Sequence, residues 1–287
     1  MKIAVLGASG QLGRFLCRVL AEKAIPLPRS ACDISDRAQL HRMLADLRPS
    51  VVINTAAYTE VDRAETDVVT CQAVNVKGVA NLAAVCRDLD CTLMHISSDY
   101  VFGGDCSRTQ PYDETDLPAP LSVYGQSKLD SELPVRELAK YFIVRSCGLY
   151  CDDENSSNFV NTMLRLAAQR ESVQVVNDQR CTPTYIPHLC RALLFLLETE
   201  AYGTYHITNT GSTTWCELAQ TIFQLANVEC EAIPIPTAHY ATPARRPNYS
   251  VLDITKYQHL AGPVMPSWHK ALQQRLTALS GERDESA

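Results

Sequence analysis

Short apolar runs alternate with stretches of helical periodicity along the first half of the chain. The first run, Lys2-Ile3-Ala4-Val5-Leu6, stops abruptly at Gly7-Ala8-Ser9-Gly10-Gln11-Leu12-Gly13. Apolar residues then recur at Leu12, Phe15, Leu16, Val19 and Leu20, which is helical spacing. Residues 24–28 (Ala-Ile-Pro-Leu-Pro) give a second, irregular strand. Asp36 followed by Gln39 predicts a capping box and a helix that ends at Leu47. A third strand is predicted over 50–56, a long helix over 67–89 and a fourth strand over 92–98. A polar, proline-bearing loop over 103–120 separates these from a helix over 123–139 and a fifth strand over 141–145.

The strands are apolar on both faces and alternate with helices, which predicts a doubly wound parallel sheet, an α/β fold of Rossmann type. After residue 151 the texture loosens. A helix over 158–168, a strand over 173–176 and a helix over 187–199 are read as still serving the sheet. Small strands are expected over 205–208 and 231–236. Thr214 and Glu217 cap a helix reaching residue 227. A final helix over 267–279 and a frayed charged tail over 281–287 complete the chain. The expected organisation is a dinucleotide-binding domain over 1–150 and a smaller, mainly substrate-binding C-terminal domain over 151–287, with some segments returning to the sheet.

Composition narrows the function classes. Of 287 residues, 46% are hydrophobic and 20% charged, enough for a full core. The net charge of −6, with no long basic run, argues against nucleic-acid binding. No apolar stretch approaches the ~18 residues of a membrane span. Met1-Lys2-Ile3 leads straight into a strand, so a cytoplasmic protein with no membrane partner is expected. The twelve cysteines show no Cys-x-x-Cys spacing, and no metal site is expected. They read as small buried hydrophobes, with Cys147 and Cys151 flanking the expected site.

The candidate chemistry falls at the C-terminal ends of the strands, where doubly wound sheets bind ligands. The glycine turn, opening a helix directly after a buried-type strand, is suited to a pyrophosphate on free N–H groups. Tyr124 and Lys128 lie four apart on one helix face. A lysine there can lower the tyrosine pKa and hold a ribose hydroxyl, so that the tyrosine protonates an alkoxide as hydride arrives at a carbonyl. Ser97 and Ser98 end the fourth strand, where a hydroxyl can polarise a carbonyl. Ala56 and Ala57, small residues ending the third strand, allow a cofactor to pass close.

The glycine turn, Asn54-Thr55-Ala56-Ala57-Tyr58, Ser98-Asp99-Tyr100-Val101-Phe102 and Tyr124-x-x-x-Lys128 resemble the extended short-chain dehydrogenase/reductases. Ala73-Val74-Asn75, Thr213-Thr214-Trp215 and Thr242-Pro243-Ala244-Arg245-Arg246-Pro247 carry the resemblance to the dTDP-4-dehydrorhamnose reductase branch. It implies an NAD(P)H-dependent oxidoreductase acting on a nucleotide sugar, possible as a homodimer. It implies that Gly7, Gly10, Gln11 and Leu12 bind pyrophosphate and that Asp33 and Ile34 sit by adenine. Ala56, Ala57 and Tyr58 would line ribose and nicotinamide, with Asn75 and Ser97 also in the cofactor set. Ser98, Tyr124 and Lys128 would be catalytic. Asp99, Tyr100, Tyr124 and Arg246 would meet the substrate. Three departures stand out: Gly148 replaces a tryptophan that faces the sugar, Gly103 follows Phe102 where Asp is frequent, and the region after strand two lacks the acidic residue that would prefer NAD. Arg29 nearby can pair with a 2′-phosphate, which favours NADPH over NADH. An epimerase or dehydratase on the same fold, and a non-catalytic subunit resembling the methionine adenosyltransferase beta subunit, are the alternative readings.

Overall fold

The computed structural model describes residues 2–284. Its first strand, β1 (Ile3–Leu6), is buried at every position and lies between β2 (Ala24–Leu27) and β3 (Val51–Asn54). The sheet continues through β4 (Thr92–Ser98) and β5 (Tyr141–Ser146) to a sixth strand, β6 (Gly203–His206). All five pairings are parallel. The chain leaves β1 towards β2 on one side and returns to β3 on the other, so the crevice for a ligand opens at the carboxyl end of β1.

Alternation along each strand builds two cores. Ile3 and Val5 face one layer, with Leu12 and Leu16 of α1 (Gln11–Leu20). Ala4 and Leu6 face the other, with Leu40 and Leu44 of α2 (Arg37–Leu47) and Leu82 and Val85 of α3 (Val68–Asp88). Leu40 is wholly buried, and its truncation to alanine would cost about 2–5 kcal/mol. Val19, counted with the buried stripe of α1, instead points outward and is 47% exposed.

Helix α3, 21 residues with mean hydropathy 1.3, is long and apolar enough to cross a membrane, contrary to the expectation that no apolar stretch approaches that length. Here Val79, Leu82, Ala83, Val85 and Cys86 are spent on the sheet. Its Ala73–Gly78 stretch is a π-helical turn, a distortion frequent at functional sites. Helix α4 (Val123–Arg136) stops before residue 139, because Pro134 removes an N–H in its last turn.

The later segments correct the reading of the sequence. After α5 (Phe159–Ala167), residues Ser172–Val176 do not join the main sheet but pair with Glu231–Ile235. Their burial is one-sided, unlike that of the central strands. The main sheet is extended instead by β6, delivered by α6 (Ile186–Leu197), which packs on the same face as α1. A third core joins Met163 of α5, Ile222 and Phe223 of α7 (Trp215–Leu225) and Leu272 of α8 (Trp268–Asp284). Thr214 and Glu217 form the reciprocal capping box. Asp36 caps α2, but Gln39 reaches back to the Asp33 amide instead, so that box is only half made. Of the tail expected over 281–287, helix α8 takes in residues up to Asp284; residues 285–287 lie outside the described residues.

Candidate active site

The turn after β1 works only with glycine. Gly7 has φ +74°, and a Cβ there would lie 2.6 Å from the Ala56 amide nitrogen. A Cβ on Gly13 would collide with the Gly7 carbonyl, so α1 could not pack so closely on the turn. The N-cap of α1 is Gly10, with no side-chain cap, which leaves first-turn amides and the positive helix end facing outward. From here a cleft of about 770 Å³ runs past Thr55 and Ala57 to Ser98, Tyr124, Lys128 and Gly148. Gln11 Nε2 donates to the Leu149 carbonyl at 3.3 Å, and Arg14 pairs with Asp153 at 2.7 Å. These contacts tie the turn to the loop after β5. A cradle without side chains, open amides and an elongated cleft suit a dinucleotide.

Helix α4 brings Tyr124 and Lys128 to the cleft. Ser122 caps it by accepting from the Gly125 amide at 3.1 Å. Tyr124 packs edge-to-face on Tyr100, with ring centroids 5.9 Å apart, and lines the cleft with Ser98. Burial pushes the Tyr124 phenol up, and the neighbouring Ser98 hydroxyl opposes this. The phenol is therefore protonated at neutral pH. Lys128 is 2% exposed, and its Nζ donates to the Ile96 carbonyl at 2.7 Å. Burial brings its pKa down to about 8, with Glu132 pulling the other way. Burial is the largest influence on both groups.

Several predicted residues serve the site from behind. Asn75 is buried: its Oδ1 accepts from the Tyr58 amide at 2.8 Å, and its Nδ2 donates to the Tyr58 carbonyl and to Ser127 Oγ. It clamps the loop after β3 to α4, and its side chain is engaged by protein rather than open to a cofactor. Ser97 lines the cleft, and its Oγ donates to Glu132 at 2.6 Å. The Tyr58 hydroxyl donates to Asp67 at 3.3 Å. Ile34 is buried, while Asp33 is held below the usual carboxylate range by Ser35, with the Arg29 guanidinium 3.8 Å away. Arg29 is exposed at the carboxyl end of β2.

On the substrate side the assignments also shift. Asp99 is 2% exposed and accepts from Ser250 at 2.6 Å and Ser98 at 3.1 Å, so its carboxylate is a hub within the wall. Burial raises its pKa, and the Ser250, Cys147 and Ser98 bonds counter this. The Arg246 fork is taken by Asp62, at 2.8 and 3.0 Å. Tyr100 and Arg246 line a neighbouring cavity of about 280 Å³ with Phe159, Met163, Gln179 and Trp215. Trp215 was seen only as part of a motif; its ring edge comes within 3.4 Å of where a Cβ on Gly148 would sit.

Polar residues inside apolar strands were the overlooked signal. His95 in β4 bridges Asn54 and Ser131, at 3.1 and 2.9 Å, and burial keeps it neutral. Asn54 Oδ1 then accepts from the Ala56 amide at 3.1 Å and shapes the turn that faces Gly7. Arg145 pairs with Glu132 beneath Ser97. Of the cysteines only Cys106 is exposed, and Cys147 is pushed well up by Cys181, burial and Asp99, so it is no thiolate. Among the described residues no group of three His, Cys, Asp or Glu could hold a metal ion.

Comparisons with known proteins agree with this geometry. The RmlD substrate binding domain family matches residues 1–280. A dTDP-4-dehydrorhamnose reductase of Aggregatibacter actinomycetemcomitans is 37% identical, covering 95% of this chain and 97% of the relative. A dTDP-4-keto-6-deoxy-D-glucose reductase of Streptomyces niveus is 34% identical, covering 97% of each. The crystal structure of the Bacillus anthracis dTDP-4-dehydrorhamnose reductase in complex with NADP superposes with a TM-score of 0.92 at 38% identity, covering 97% of this chain and 100% of that one. On these matches the chain belongs to the dTDP-4-dehydrorhamnose reductase family of Rossmann-type oxidoreductases.

Proposed function

We propose that this protein reduces the C4 keto group of a nucleotide-linked 6-deoxy-4-ketohexose, converting dTDP-4-dehydro-L-rhamnose to dTDP-L-rhamnose with NADPH. The reading is carried by Ser98, Tyr124 and Lys128 lining the far end of the cleft that starts at the glycine turn. The relatives' substrates and the NADP of the Bacillus anthracis structure support it.

Gly7, Gly10, Gln11 and Leu12 hold the pyrophosphate at the start of α1. Ala56, Ala57 and Tyr58 flank the ribose and nicotinamide, and Arg29 is placed to meet a 2′-phosphate. When bound, the reduced nicotinamide supplies a hydride to the carbonyl carbon. Ser98 orients the carbonyl oxygen. Tyr124, protonated because it is buried, gives its proton to that oxygen as the alkoxide forms. Lys128, still largely cationic at neutral pH, favours the phenolate left behind. Tyr100, Trp215 and the Arg246–Asp62 pair face the nucleotide sugar. On this reading the protein works in the cytoplasm on a freely diffusing substrate.

The test is NADPH oxidation, followed near 340 nm (about the reduced-nicotinamide band), with dTDP-4-dehydro-L-rhamnose as substrate. Tyr124→Phe is expected to lower kcat by about 10²–10⁴-fold while retaining NADPH binding. A wild-type protein that binds NADPH but leaves the keto sugar untouched would refute the reading and favour a non-catalytic role.

A further inference from the structure

Ser146, the last residue of β5, is paired in register with Ser98 of β4. One residue earlier, Ser97 and Arg145 are paired in the same way, and both side chains reach Glu132 beneath the sheet. Side chains alternate across a strand, so Ser98 and Ser146 point to the opposite face. Both residues line the long cleft together with Tyr124 and Lys128.

Ser98 already has protein partners, donating to Asp99 and accepting from the Tyr100 amide, and its proton must turn from Asp99 to reach a carbonyl. Ser146 has none: it is 4% exposed, and its Oγ is buried without a hydrogen-bond partner. Buried hydroxyls are nearly always paired, because leaving one unpaired sacrifices its hydration for nothing. Tyr112, Tyr150 and Arg275 also carry an unpaired buried atom among the described residues, but none of them lines this cleft. Ser146 lines the cleft where the reaction is placed, and rotation about one bond redirects its hydroxyl.

We propose that Ser146 Oγ is a ligand-binding group of the site, donating a hydrogen bond to a carbonyl oxygen of a molecule in the cleft. That oxygen belongs either to the nicotinamide carboxamide or to the keto sugar. The proposal rests on the function read above for the cleft.

The experiment compares Ser146→Ala with wild type in three measurements: unliganded Tm, NADPH affinity by fluorescence titration without sugar, and sugar KM. The expected result is an unliganded Tm equal to or above wild type, since an unpaired buried hydroxyl has been removed, together with about a tenfold loss of affinity for one ligand. Loss in the NADPH titration assigns the carboxamide; an unchanged titration with a raised sugar KM assigns the keto oxygen. Unchanged values for both ligands overturn the proposal. So does a fall in Tm that accompanies the loss, because the hydroxyl would then be structural. If wild type binds NADPH but turns over no sugar, the functional reading fails separately, and the NADPH titration still decides the role of Ser146.

Discussion

Glu132 and Arg145 meet behind the catalytic wall through two parallel hydrogen bonds, Nε to Oε1 at 2.9 Å and Nη2 to Oε2 at 2.7 Å, with neither side chain more than 1% exposed. Glu132 lies one turn beyond Lys128 on α4, and Arg145 immediately precedes Ser146 on β5. Burial works against the Glu132 carboxylate, but Arg145 and Ser97 outweigh it and hold the group below its ordinary range. Arg145 also donates to His206 Nε2 at 3.3 Å and lies over the Phe102 ring. The pair thus locks α4 to the strand end that floors the site.

Removing one partner strands the other as a buried charge. Glu132→Gln is therefore expected to lower unfolding free energy by about 3–5 kcal/mol in urea titrations. A loss under about 1 kcal/mol would show that water reaches the guanidinium. The linkage sign is fixed by the lowered pKa. Stabilisation from Glu132 is complete above its unfolded value, ~4.3, and disappears as pH falls through the lower folded value. The pair should contribute no slope to stability at neutral pH.

Lys128 sets the alkaline limit of activity. Its pKa of about 8 lies well below the ordinary lysine value because burial penalises the ammonium. Tyr124 is shifted the other way and titrates far outside the working range. The free-enzyme profile of kcat/KM should therefore fall above about pH 8, approaching tenfold per unit, and the limb should vanish in Lys128→Met along with most of the activity. A profile flat to about pH 9.5 would contradict the assignment. The same shift acts on stability with a defined sign. Between about 8 and ~10.4 the unfolded chain binds the proton that the folded chain has lost, so this group adds stability as pH rises through that window.

Elements and chemistry were legible in the sequence to different degrees. The β1–turn–α1 unit and α4 could be read directly, because local rules decide them: glycine where φ is positive, helical spacing of Leu12, Leu16 and Leu20, a tyrosine and lysine one turn apart. What Ser172–Val176 would pair with could not, because its partner Glu231–Ile235 is remote and either segment has enough apolar residues for a half-buried strand. Asp99, Asn75 and Arg246 are expected from the sequence to meet a ligand, yet each has polar atoms bound to a protein partner: Ser250, Tyr58 and Asp62. Which way a side chain turns depends on neighbours far along the chain. His95 and Arg145, polar residues in buried strands, carried a signal of their own that pattern-reading by hydrophobicity passes over.

Gly148 shows why a residue borrowed from relatives need not fit. It has φ +52°, a conformation that costs a residue bearing a side chain about 1–2 kcal/mol. A Cβ there would lie 3.3 Å from Pro183 Cα and 3.4 Å from the Trp215 ring. Trp215, its ring 4.8 Å from that of Phe159 and tilted by 45°, already brings an indole to the same wall from the start of α7. Installing the tryptophan that the resemblance implies, with Gly148→Trp, should therefore destabilise the protein by more than Gly148→Ala and fail to raise kcat/KM, because two indoles compete for one space. Trp215→Ala frees that space. The double variant Gly148→Trp/Trp215→Ala should then be less destabilised than the sum of the single changes, by at least about 0.5 kcal/mol, in a urea-denaturation cycle. Strict additivity would mean that the two side chains never meet, and that the strain at residue 148 lies wholly in its backbone.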